Sequence, residues 1–276
     1  MGARPARRRA RPLGWRAPAR VFVDSMGDLF HEDVADAWLD SVWAVMAFCG
    51  RHTFQVLTKR PDRMRDYLLR RSRSSAPWEA AARSLGLALR YEDAQTGRSF
   101  GLIPWPLPNV VVGTSVEDQE RADLRVPALL ATPAACRMVS YEPALGPVDW
   151  RPWLGARDVV FRAGAVVTGS GEARIVTPTI LPERPALGWL VVGGESGPRA
   201  RPCDVAWLRQ AVRQAQAAGV PVFVKQLGAV VEDSGPRDTT WAGPDAKRQD
   251  RKGGDPAEWP ADLRVREWPT LAGRSS

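Results

Sequence analysis

A chain of 276 residues with 44% hydrophobic content is long enough for one α/β domain with a sizeable core. No apolar stretch approaches the roughly 20 residues of a membrane span, and the Arg-rich start, Met1 to Arg20, carries no acid and lacks the apolar core of a signal peptide. A cytoplasmic protein is therefore expected, with no membrane partner. The net charge of +8 invites a nucleic-acid partner, but only Lys59, Lys225, Lys247 and Lys252 among the 39 basic residues are lysine. That Arg skew fits a GC-rich coding bias, and solvated helix faces are the favoured explanation of the charge.

Six short apolar runs each end in a cluster of polar, Gly or Pro residues. Val21 to Val23 leads into Asp24-Ser25-Met26-Gly27-Asp28. The spacing of Val34, Ala37, Trp38, Val42, Val45 and Met46 predicts an amphipathic helix over Asp33 to Phe48, stopped by Gly50. Phe54 to Leu57 precedes Thr58-Lys59-Arg60-Pro61, and Pro61 is placed to start a helix over Asp62 to Leu69. Arg70 to Pro108 reads as an insertion, with a helical piece near Pro77 to Leu89 and a Gly/Pro-rich loop carrying Trp105.

Val110 to Val112 then runs into Gly113-Thr114-Ser115-Val116-Glu117, and a helix over Glu117 to Ala131 begins with acids where its dipole favours them. Arg137 to Val139 precedes Ser140-Tyr141-Glu142-Pro143. A second insertion, Asp149 to Pro185, contains the alternating stretch Val159 to Val167, a candidate hairpin. Leu190 to Val192 precedes Gly193-Gly194-Glu195-Ser196-Gly197, and Asp204 is a fitting N-cap for a helix that Gly219 stops. Val222 to Val224 leads into Lys225-Gln226-Leu227-Gly228. Beyond Ser234 the composition is that of an irregular tail.

Buried apolar runs alternating with helix-length stretches are the pattern of parallel βα units. The expected fold is α/β: a partial TIM-like (β/α)6 parallel barrel over 20–230, with insertions at about 70–108 and 149–187. An Arg-rich segment, 1–19, precedes it and an irregular tail, 231–276, follows. In such folds the site lies at the carboxyl ends of the strands. That rule singles out Asp24, Ser25, Asp28, Lys59, Arg60, Ser115, Glu117, Glu142, Gly193, Gly194, Glu195, Lys225 and Gln226.

Each also has a plainer structural use. Asp28 can position its loop, Glu117 can be a helix N-terminal acid, and Lys225 can pair with Glu195 or Glu142 across the mouth. Cys49, Cys136 and Cys203 show no CxxC and no Cys-His pairing, so spacing predicts no metal site. Trp105, Trp241, Trp259 and Trp268 fall in irregular segments and are expected to plug the floor or sides of the barrel.

The string from Val21 to Glu32, Leu57-Thr58-Lys59-Arg60-Pro61 and Ser140 to Pro147 together resemble the phage Gp37/Gp68 family (DUF5131). So do Val192 to Pro198, Phe223 to Gly228 and the tail from Lys252 to Pro269, all in the expected order. The chain departs from that pattern at Asp24, Gly27, Tyr141 and Leu227. The resemblance implies a radical S-adenosylmethionine-like partial barrel with a three-cysteine motif holding a [4Fe-4S] cluster.

That motif belongs upstream of the segment matching Pro12 to Val23, where this chain has no cysteine. The expectation is a product shortened at its N-terminus, by late start assignment rather than by decay, because the rim clusters are intact. The resemblance further implies S-adenosylmethionine as cofactor, with Ser115, Glu117, Glu142, Gly193, Gly194 and Glu195 around it. Asp24, Ser25, Asp28, Lys59, Arg60, Lys225 and Gln226 would then hold an unknown small or macromolecular substrate. The second class weighed is a non-catalytic phage or mobile-element accessory protein that binds nucleic acid through Arg-rich faces.

Overall fold

The computed structural model describes residues 11–87, 91–92, 99–100, 105–155, 159–167, 173–182, 186–236, 241–244 and 249–271. The six apolar runs become β1 Arg20–Val23, β2 Thr53–Thr58, β3 Val110–Ser115, β4 Cys136–Tyr141, β5 Trp189–Gly193 and β6 Val222–Gln226. They form one parallel sheet in chain order, curled into a half barrel. Strands β3, β4 and β5 are buried at every position, which is why their apolar runs are unbroken rather than alternating with exposed polar residues.

Helices α1 Asp36–Phe48, α2 Pro61–Ser72, α3 Ala76–Ser84, α4 Gln119–Leu130 and α5 Val205–Ala217 connect the strands. Pro61 stands at the start of α2, where its missing N–H costs nothing. The Asp204 carboxylate caps α5 by accepting from Ala206 N at 2.9 Å, and Gly219 ends that helix turn at φ +65°. Two helix expectations shift. α1 starts at Asp36 and buries Leu39, Trp43 and Met46, leaving Trp38 53% exposed. The steps of four and three through Leu39, Trp43 and Met46 win because Trp43 enters an aromatic cluster with Phe30, Tyr67 and Trp78. α4 begins after Asp118, which accepts from Arg121 N at 2.8 Å; Glu117 is left outside the helix.

Val56, Val112, Val139, Val192 and Val224 share a large core with the helices, on the convex face. The concave face carries Val111, Cys136, Met138, Trp189 and Val191, joined by Leu57, Phe223 and the tail residue Leu271. The alternating stretch in the second insertion is a strand, Val159–Val167, paired antiparallel with Ala173–Pro182. Parts of the Arg-rich segment, of both insertions and of the tail lie outside the described residues.

The tail is irregular in backbone yet closely packed. Trp259 and Leu263 are fully buried. Val265 O accepts from Val224 N at 2.8 Å and Glu267 N donates to Val222 O at 2.9 Å, so the tail covers the free edge of β6. Trp268 then packs on Trp189 and Phe223, with ring centroids 4.9 and 5.2 Å away, and closes the floor of the half barrel. The expectation for Trp259 and Trp268 holds in this form, and Trp105 packs against Trp78 at 5.2 Å.

Candidate functional site at the carboxyl rim

Alternation along a strand sends every second side chain to the concave face. From Leu57, Val111, Met138 and Phe223 that count reaches Lys59, Ser115 and Glu117, Ser140 and Glu142, and Lys225. Ser115 pairs in register with Ser140, so the ends of β3 and β4 are level. Lys59 Nζ lies 3.3 Å from Glu117 Oε1, bridging the ends of β2 and β3. Lys225 Nζ lies 2.9 Å from Glu142 Oε2, reaching over β5 from β6 to β4. The carboxylates are enclosed, with side chains 13% and 14% exposed, while Lys59 and Lys225 are 61% and 54% exposed.

Glu117 is held from behind. Arg125, one face of α4 later, donates to Glu117 Oε2 at 3.0 Å and to Ser115 O at 2.8 Å. Among the described residues Glu117 Oε1 is buried and accepts no hydrogen bond, and it faces the Lys59 ammonium as an ion pair. Farther round, Glu195 accepts from Arg201 Nε at 2.7 Å and from Arg201 N at 3.0 Å. The Arg201 guanidinium also feels the charge of Glu117, and its hydrogen bonds hold the Glu195 carboxyl below its ordinary value.

Other expected rim residues are used within the fold. Asp28 accepts from Thr58 Oγ1 at 2.6 Å, Phe30 N at 2.9 Å, Lys59 N at 3.0 Å and Arg60 Nη1 at 3.1 Å, which ties the loop after β1 to the end of β2. Burial alone would raise that carboxyl, but the four donors outweigh it and hold it low. Asp24, at φ +55°, and Ser25 are exposed on the turn before it.

A Cβ on Gly193 would sit 2.9 Å from Gln226 O, and one on Gly194 2.1 Å from Leu227 O. The glycines therefore let β6 and the chain after it approach β5, and that space is filled by backbone rather than open to a ligand. Gln226 Nε2 donates to Gly194 O at 2.8 Å, closing the same contact.

A profile described as "Protein of unknown function (DUF5131)" matches residues 4–264, nearly the whole chain. The chain belongs to the DUF5131 family. No curated protein and no solved structure matches it.

The cysteines of this DUF5131 protein do not suit an iron–sulfur cluster. Cys49, Cys136 and Cys203 are all buried and free, and Cys136 lies in the concave-face core while the other two lie in the convex one. Burial raises the Cys49 thiol and pushes that of Cys203 up to about 12, the opposite of what a thiolate ligand needs. Among the described residues no three His, Cys, Asp or Glu side chains group as metal ligands.

Sequence reasoning missed Arg125, Arg201 and Ser140 in this DUF5131 rim. Ser140 was legible from alternation, since it precedes Glu142 by one period. Arg125 sits two helical turns past Glu117, a spacing that carries no signal until Glu117 is known to precede the helix.

Proposed function

We propose that this DUF5131 protein is a radical-SAM-like half barrel, of Gp37/Gp68 affinity, whose rim binds a small zwitterion of the S-adenosylmethionine class. The observation that carries the proposal is the rim of alternating charge, with the hydrogen-bond-free Glu117 Oε1 in its wall. Glu117 Oε1 is compensated by the Lys59 ammonium at 3.3 Å but accepts no hydrogen bond, and a ligand ammonium supplies one. Lys59, Lys225 and Arg201 are placed for a carboxylate, and Glu142 and Ser115 for hydroxyl or amine groups. A polyanion would meet three carboxylates at the same mouth. No step is derived through an iron–sulfur cluster, because the cysteines of this chain do not fit one.

The nucleic-acid alternative draws less support. Arg60, Arg65, Arg70 and Arg71 are engaged with Asp28, Asp62, Asp36 and Asp40, and Arg63 with backbone carbonyls. The Arg-rich stretch is largely spent on the protein itself.

Calorimetric titration of S-adenosylmethionine tests the assignment. Glu117→Gln and Glu195→Ala are each expected to weaken binding by about 1–3 kcal/mol, with melting temperatures near that of the parent protein. Unchanged affinity in both variants sinks the site. Tighter binding of a DNA oligonucleotide than of S-adenosylmethionine favours the alternative.

A further inference from the structure

At the amino-terminal end of the strands, away from the rim, the concave face holds a cavity of about 740 Å³, within the roughly 300–1,000 Å³ of small-molecule sites. Val111, Trp189 and Leu271 are buried at its base. Trp268 walls one side, and the Arg20 guanidinium lies over that indole, its Cζ 4.1 Å from the ring centroid. Gln55, from the middle of β2, lines the same space.

Among the described residues Arg20 has no carboxylate within ion-pair distance, and the Gln55 amide has no hydrogen-bond partner. Packing the floor accounts for Trp268 against Trp189. It does not account for an exposed guanidinium with no carboxylate and a half-buried amide with no protein partner, both bordering the same open apolar volume.

We infer that this floor cavity is a second binding site, one that takes an aromatic carboxylate. The ring system packs against Val111, Leu271 and the two indoles. The carboxylate meets Arg20, whose guanidinium lies over Trp268 and can donate two parallel hydrogen bonds to the carboxylate oxygens. Gln55 sets the orientation of the ring's polar substituents. The site stands apart from the rim, so its occupant binds alongside a rim ligand rather than in competition with it.

The probes are 2-naphthoate and its neutral amide, measured by equilibrium dialysis and ligand-observed NMR on the full chain, on Arg20→Gln and on Gln55→Trp. The acid is expected to bind about tenfold more tightly than the amide, because only it forms the charge-assisted pair. Arg20→Gln should abolish that preference at an unchanged melting temperature, and Gln55→Trp, which places an indole in the cavity, should weaken both probes. A folded protein that does not bind the acid, acid and amide bound alike, or a preference that survives Arg20→Gln overturns the inference. Should Gln55→Trp not fold, the acid preference and its loss in Arg20→Gln still decide the matter.

Discussion

Asp28 answers to four donors at once, and that makes it a sensitive single residue in the loops after the strands. Asp28→Asn keeps the shape but turns one acceptor into a donor facing donors, and is expected to cost about 2 kcal/mol in chemical denaturation. Its folded pKa is depressed below an unfolded value of about 3.9. The stability it supplies is thus fully present above that value and is lost as pH falls through the folded one. Stability measured from about pH 5 down to pH 2 should fall more steeply in the parent protein than in Asp28→Asn. Gly194 is sensitive for a different reason: the Cβ of an alanine would lie 2.1 Å from Leu227 O and 2.8 Å from Cys203 Cβ. Because backbone must move to admit it, Gly194→Ala is expected to destabilise by about 1–3 kcal/mol, read as a lowered melting temperature.

At the scale of elements, strands were the legible part and helix faces the less legible. Each of the six runs that end in a polar cluster is a strand of the sheet; β3, β4 and β5, buried on both faces, show it as unbroken apolar runs, whereas β2 alternates. The α1 face was read correctly at Val34, Val42, Val45 and Met46 but not at Ala37 and Trp38, because that set and the one through Leu39 and Trp43 share the same three-and-four spacing. Glu117 was legible as a rim residue but also fitted a helix N-terminus, and only the Asp118 cap separates the two. The tail had no period at all, because its contacts are single side chains and isolated bridges rather than a repeating face. It is nevertheless an element in energetic terms. Trp259 is fully buried and donates to Gly253 O at 2.9 Å. Trp259→Ala should cost about 3–5 kcal/mol and also loosen β6, seen as faster amide exchange at Val222 and Val224.

For the whole molecule, the half barrel arranges three cysteines where no single metal can gather them. Anaerobic treatment of the chain with iron and sulfide is expected to leave no stoichiometric cluster; a brown product carrying a [4Fe-4S] spectrum would refute this. The curled sheet also has unequal borders. The tail lies along β6, whereas β1 ends the strand order with no further strand beside it among the described residues. Moreover, the floor joins the first strand to nearly the last described residues, through Arg20 over Trp268. A growing polypeptide therefore carries all six strands before it carries the residues that seal them. During synthesis the inner surface, Trp189 and Phe223 included, must wait uncovered until Trp268 and Leu271 have emerged, and that interval is when a chaperone is most needed.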